Sequence, residues 1–233
     1  MTPAELKSAW IAVEAAIQAF AFLPPGKLDD AVWTALAQGE LAQWSVGTEV
    51  RRVAAARLVA LPATAMWLGV TDDHPIEPIR GLQEHALRGA WSSPKLLYQH
   101  IDLPWPFEDR QWVIELRNNA RLYGEARVWE RSWVLADSAS AAQYWDPAAL
   151  STPVNEGGWL MVPVSQQRTL VLYQARASLG GVFPESAVRA WTAATLDEMF
   201  SRYERNAASM STRYGAGCAP QPGPDGGALQ CLP

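Results

Sequence analysis

The sequence predicts an α+β domain built from an antiparallel sheet and a long helix near the carboxy terminus. Three observations predict it. The stretch Leu103-Pro104-Trp105-Pro106-Phe107-Glu108-Asp109-Arg110 is a stiff corner, because two prolines at alternate positions stop a helix and remove two ladder donors. It runs into a strand in which Trp112, Ile114 and Leu116 share one face and Gln111, Glu115 and Arg117 the other, with Val113 breaking the polar set. From Ile79 onward, short runs at 82–88, 96–103, 111–118 and 127–135 are separated by connections too short for parallel crossovers, which is the rhythm of an antiparallel meander. Finally, Pro184 and Glu185 open a segment with the stripe Val188, Trp191, Thr195, Met199 and Arg202, flanked by Ala187, Leu196 and Tyr203. That segment reads as a helix to about Asn206.

The remaining elements follow in order. Thr2-Pro3-Ala4-Glu5 is a capping box with proline at the first helical position, and Leu6, Trp10, Val13, Ile17 and Phe20 recur at helical spacing behind it. After Pro24-Pro25-Gly26, a short helix from Asp29 to Gln38 is capped by Asp29 or Asp30 and ended by Gly39. Glu40 to Leu61 reads as two strands around a Gly47-Thr48 turn. Pro62 opens a short helix through Met66-Trp67-Leu68, closed by Gly69 and the turn from Thr71 to Pro75. Asn118-Asn119 and Tyr123-Gly124-Glu125 supply turns within the meander. The stretch from Asp137 to Glu156 has little periodicity and is expected to be a long surface loop. Strands at 158–164 and 169–177 then complete the sheet, and Gly180-Gly181 ends it.

Composition bounds the function. The 233 residues are 49% hydrophobic, enough for one substantial core. A formal charge of −5, from 19 basic and 24 acidic residues without a block of like sign, is not the footprint of a nucleic-acid binder. Twelve tryptophans fit either a Trp-rich core or a wall built to hold an apolar guest. Cys218 and Cys231 have no histidine nearby to complete a metal set; they are a disulfide in an oxidising compartment and free thiols in a reducing one. Glu14 and Gln18 interrupt the apolar first helix, no cleavage pattern follows it, and no stretch reaches the roughly 20 apolar residues of a membrane span. A cytoplasmic protein is expected, with export left open by the two cysteines.

The sequence lacks a Gly-x-Ser-x-Gly elbow, a Gly-rich phosphate loop and a His-Glu-x-x-His helix. His74, His85 and His100 are not spaced as metal ligands: His74 reads as a loop residue, while His85 and His100 fall on neighbouring strands where they could face each other. They read as hydrogen-bonded structural residues, and Glu130 and Arg131 as solvent-facing or paired. No cofactor, metal or catalytic residue is expected.

The corner Pro104-Trp105-Pro106…Asp109-Arg110 resembles the signature of START lipid-transfer domains, the steroidogenic-acute-regulatory-related family with a helix-grip fold. Two further places carry the resemblance. Val59-Ala60-Leu61-Pro62-Ala63 leading to Met66-Trp67-Leu68-Gly69-Val70-Thr71-Asp72 is similar to the family's early strand, proline-started helix and acidic end. Gly158-Trp159-Leu160-Met161-Val162-Pro163, then Thr169 to Tyr173 and Gly180-Gly181-Val182-Phe183-Pro184, is similar to the approach to its last helix. Two departures stand out. Ala177-Ser178-Leu179 occupies the place of an acidic residue that family members commonly carry, and Leu116 that of a basic residue found in sterol-binding members. The resemblance therefore implies a pocket without that polar anchor, which disfavours sterol.

What the resemblance implies is a helix-grip domain at 39–207, with a helical segment at 1–38 packed on it and a flexible Gly/Pro-rich tail at 208–233. A curved sheet wraps the last helix and leaves an interior hydrophobic cavity. A lipid entering such a cavity gains about 25 cal/mol per Å² of apolar surface removed from water. The expected function is non-enzymatic binding and carriage of a lipid or other hydrophobic molecule, with transient membrane contact and no protein partner inferable. Expected lining residues are Trp112, Ile114, Leu116, Trp159, Met161, Tyr173, Trp191 and Met199, joined by Trp129 and Trp133; the alternative is that they pack on one another as a filled core. Trp105, Asp109 and Arg110 would hold the corner, the arginine fork binding backbone carbonyls. Gly180 and Gly181 would form the hinge of a gate. Two other readings use the same cavity: an aromatase/cyclase-like enzyme working through His100, Tyr98 and Tyr173, and a quinone-chaperoning or partner-binding module.

Overall fold

Residues 1–46, 52–72, 81–89, 93–103, 105, 107–178 and 185–232 are described in a computed structural model, those at 46, 178 and 185–194 by their backbone alone. Gly47-Thr48, His74, the corner prolines, the Gly180-Gly181 hinge and the Trp191 side chain lie outside the described residues. Thr2 and Glu5 close the expected capping box on α1 (Pro3–Phe20), and Asp29 caps α2 (Asp30–Ala37) through the Val32 amide. β1 (Ala42–Val46) and β2 (Arg52–Val59) are paired, and α3 (Ala63–Thr71) follows.

Next come β3 (Leu82–Arg88), β4 (Lys95–Ile101), β5 (Arg110–Asn118), α4 (Ala120–Ala126) and β6 (Trp129–Leu135). A 3₁₀ helix (Ser138–Tyr144) leads through β7 (Leu150–Ser151) to the long strands β8 (Val154–Ser165) and β9 (Arg168–Ser178), and α5 (Glu185–Ala208) is the next described element. α6 (Met210–Tyr214) and the ribbon of β10 (Gln221–Pro222) and β11 (Ala228–Leu229) complete the chain.

Among the described residues the sheet runs β1-β2-β9-β8-β6-β5-β4-β3, antiparallel throughout, with β7 added to β5 in parallel. Strand alternation sorts its side chains onto two faces. The outer face carries Leu160, Val162, Leu170 and Leu172, which pack with Leu6, Trp10 and Ile17 of α1 and Trp33 and Leu36 of α2. The inner face carries Ala55, Val171, Met161, Trp159, Trp129, Trp133 and Ile114, and α3 and α5 cover it with Met66, Trp67, Leu196 and Phe200.

Four local expectations need correction. Gly69 does not end α3 but sits inside it, where a Cβ would come within 2.9 Å of Ala207 on α5, so the missing side chain lets two helices cross closely. The Asn118–Glu125 turns are instead α4, because the Asn119 side chain caps it through the Leu122 amide. The loop expected from Asp137 to Glu156 contains the 3₁₀ helix, β7 and the first residues of β8. Gln111 holds it down by donating to the Asp146 and Ala149 carbonyls at 2.5 and 3.0 Å. Finally, the tail expected to be featureless and flexible carries α6 and the β10–β11 ribbon. A Cys218–Cys231 disulfide closes it, Met210 and Leu232 are buried against α3, and the Pro222 carbonyl accepts the Trp67 indole N–H at 3.0 Å. Composition understated it because one crosslink lowers the entropy a short segment must lose.

Of the two expectations for Glu130, solvent-facing or paired, the first fails: it is buried and hydrogen-bonded, and it ties the end of α1 to the sheet. Its carboxylate accepts from the Phe22 amide at 2.9 Å and from the Asn119 side chain at 2.5 Å. Burial raises its pKa above the ordinary 4.5, and these two bonds only partly oppose the shift. A raised carboxyl pKa means the folded state holds the proton more tightly. The group therefore favours folding below pH 4.5, and that contribution is lost as pH rises through the folded value. In urea denaturation, wild type should lose more stability than Glu130→Gln between about pH 4.5 and 7.5. Parallel losses in the two proteins would contradict the assignment.

Candidate ligand-binding face

The inner face is built as a gradient. At its β2–β9–β8 side it is closed: Ala55, Val59, Val171 and Met161 are buried under α5. Arg57 of β2 clamps the helix there, reaching Asp197 at 2.5 Å and Glu204 and Ser201 at 3.3 Å. Its side chain is only 13% exposed, so its bond to the half-buried Glu204 is less screened than a free surface pair, while Asp197 is exposed.

Aromatic rings fill the centre. Trp159 lies 4.8 Å from Tyr173, 4.9 Å from Tyr203 and 5.3 Å from Phe200 between ring centroids, and Trp133 stands 5.6 Å from Tyr173. Trp129 packs between Trp67 at 5.6 Å and Tyr123 at 5.2 Å. These separations are those of direct ring contact. Trp133 is free to lie across β8 because residue 157 is glycine: a Cβ there would meet Trp133 Cζ2 at 2.2 Å and the Gln174 carbonyl oxygen at 2.4 Å.

Toward β5 and β4 the covering thins. Ile114 is buried, but Trp112, Leu116, Leu97 and Leu135 are only half-buried, and Glu84 and Ala86 on the edge strand β3 are exposed. On α5, Met199 and Tyr203 project away from the Asp197–Ser201–Glu204 row that meets Arg57, and both are half-buried as well. Two arginines bring charge to this side. Arg131 is buried between Trp129 and Trp133 and donates to Asn118 Oδ1 at 2.7 Å; Arg202 is buried beside Tyr203. Burial raises the phenol pKa of Tyr173 and of Tyr203 above the usual range, so both stay protonated at neutral pH.

No family model and no curated protein matches the sequence. Solved structures do. Human StAR-related lipid transfer protein 5 is 10% identical and superposes with a TM-score of 0.59 over 88% of this chain and 97% of its own. A STAR-related lipid transfer protein from Xanthomonas axonopodis is 15% identical with a TM-score of 0.58, covering 72% of this chain and 93% of its own. Human STARD10 gives 10% identity and 0.54 over 74% and 71%. This chain has the START-like helix-grip fold.

Within that fold, Trp112, Ile114, Leu116, Trp129, Trp133, Trp159, Met161, Tyr173 and Met199 share the inner face. They divide into a packed centre and a half-buried rim. Leu116 pairs with Trp133 across β6 and with Lys95 across β4. At the corner, Asp109 accepts the Leu103 amide at 2.9 Å, and buried Arg110 donates to the carbonyls of Glu108 and Asp109. Trp105 is 92% exposed, so among the described residues its ring does not pack into the corner. Sequence reasoning missed Trp67, Arg131, Phe200 and Tyr203. The spacing Leu196–Phe200–Tyr203–Ala207 was the available signal for the helix, since steps of four, three and four trace one face.

Two groups invoked for the cyclase reading face the other way. Tyr98 and His100 alternate with the inward Leu97 and Gln99 on β4 and so lie on the outer face, where Tyr98 donates to Gln111 at 3.1 Å. Gln111 itself is fully buried there, because the 3₁₀ helix covers what was expected to be a solvent-facing row. Among the described residues, no helix is long and apolar enough to cross a membrane.

Proposed function

We propose that this chain binds and carries a lipid or other hydrophobic small molecule between the inner face of the sheet and α5. The molecule enters on the β3–β5 side. The observation that carries this reading is the half-buried apolar row Leu97, Trp112, Leu116, Leu135 and Met199 beside a fully packed centre. A filled core would bury such a row, whereas a ligand wall keeps it reachable. The likeness of fold to proteins named for lipid transfer agrees with this reading.

The chain does this without covalent chemistry. With Tyr98 and His100 on the outer face, Tyr173 alone remains of the three groups the cyclase alternative required, and its protonated phenol is no base at neutral pH. Arg131 and Arg202 give the ligand space a polar end that Leu116 does not supply. A fluorescent fatty acid and a fluorescent phosphatidylcholine are suitable probes. Wild type is expected to take up at least one, and Leu116→Arg to bind it about tenfold more weakly or worse, because a charge would replace apolar wall. Equal uptake by both proteins with unchanged melting would move the site elsewhere.

A further inference from the structure

On the outer face, away from the lipid site, the end of β4 meets the corner and the loop after the 3₁₀ helix around a cleft of about 270 Å³. The cleft is lined by Gln83, His85, Tyr98, His100, Tyr144 and Asp146. His100 is the anomaly. It is only 7% exposed, and neither ring nitrogen makes a hydrogen bond. A buried imidazole whose nitrogens have no aligned hydrogen bond costs free energy, and here the expectation of a hydrogen-bonded structural histidine is not met. What surrounds it is acidic. Nδ1 stands 3.2 Å from Asp102 Oδ1, while Nε2 stands 3.8 Å from Asp146 Oδ2 and 4.0 Å from Asp109 Oδ2. Donor atoms of His100, Asp102 and Asp109 all lie within 4.8 Å of one another.

We propose that His100, Asp109 and Asp146 bind a divalent transition-metal ion, zinc or manganese, with Asp102 orienting the imidazole. Ligand atoms about 2.1 Å from a tetrahedral ion sit about 3.4 Å apart, so the two Nε2–carboxylate distances have to close by about half an ångström, and the carboxylates of Asp109 and Asp146, which do not lie within 4.8 Å of each other and of His100 together, have to close by more. Asp102 on the far nitrogen matches the carboxylate–histidine–metal arrangement that fixes tautomer and ring orientation. One nitrogen and several carboxylate oxygens suit zinc or manganese better than a soft thiophilic ion.

The donors are held in place in advance. The Leu103 amide binds Asp109 Oδ1, and the Ala148 amide binds Asp146 Oδ1, which in each case leaves the other oxygen toward His100. Gln111 fixes the Asp146 backbone by accepting its amide at 2.9 Å and donating to its carbonyl. The three carboxylate side chains are 37–54% exposed, which leaves the ion a path from solvent.

Isothermal titration of the untagged full chain with zinc chloride and with manganese chloride tests the site, with melting temperature as a second readout. Wild type is expected to bind one equivalent of at least one ion at micromolar or tighter Kd and to melt higher with it. His100→Gln and Asp146→Asn should lose that binding, Asp102→Asn should weaken it about 10- to 100-fold, and His85→Ala should keep it. Asp146→Asn, on a partly exposed loop, decides the matter should His100→Gln fail to fold. Absence of binding below about 1 mM would overturn the proposal. Binding that survives Asp146→Asn or depends on His85 would overturn it too.

Discussion

Replacing Gly157 with alanine is expected to destabilise the protein by about 3 kcal/mol or more, because the new methyl has nowhere to go. It would lie 2.2 Å from Trp133 Cζ2 and 2.4 Å from the Gln174 carbonyl oxygen. The tryptophan could move only by breaking its stack with Tyr173 and its 2.9 Å hydrogen bond to Asn155, and the carbonyl belongs to the neighbouring strand β9. In a chain of this size that loss corresponds to a melting temperature roughly 6–12 °C lower. Gly158→Ala is the control. One residue along, on the opposite face, its Cβ would meet nothing closer than the Arg131 carbonyl at 3.4 Å, and a small effect is expected. Equal melting of the two variants would mean that Trp133 does not lie where it is described.

The second large effect separates the packed centre from the ligand wall. Trp159→Ala removes a buried indole that touches Tyr173, Tyr203 and Phe200, and it should cost about 3–5 kcal/mol in chemical denaturation. Trp112→Ala removes an indole of the same size whose surface is only half covered and whose N–H bonds the Gln99 side chain at 2.6 Å. Its cost should be less than half that of Trp159, while its effect on lipid uptake should be the larger of the two per unit of stability lost. If both substitutions cost the same, the inner face is a uniform core and no wall for a guest remains.

Period-two alternation made the inner face legible: Trp112, Ile114 and Leu116 are on the side that the spacing assigns to them. What alternation cannot show is what lies over the opposite side. Gln111 reads as a solvent-facing residue, yet it is fully buried, because a segment without periodicity folds over it through hydrogen bonds to Asp146 and Ala149 rather than through an apolar stripe. The surroundings of His100 were hidden for the same reason, since two of its three acidic neighbours, Asp109 and Asp146, come from the corner and from that segment, in other parts of the chain.

The last helix was legible in extent but not in phase. A stripe set by Trp191 and Met199 missed Phe200, which with Leu196 is buried in the inner-face cluster, while Ala207 on the same row packs on Gly69 of α3. Size misled there, because a methionine half-exposed at a rim looks the same in sequence as one in a core. The carboxy-terminal segment was misread through composition: one disulfide and one indole–carbonyl bond order a stretch too poor in apolar residues to order itself.

Native mass spectrometry of the full chain after incubation with mixed phospholipid and fatty-acid vesicles tests the central claim most directly. The account predicts one lipid-sized adduct per chain, retained through buffer exchange and lost in Leu116→Arg. A chain that emerges bare from every lipid mixture, while folded and monodisperse, would contradict it.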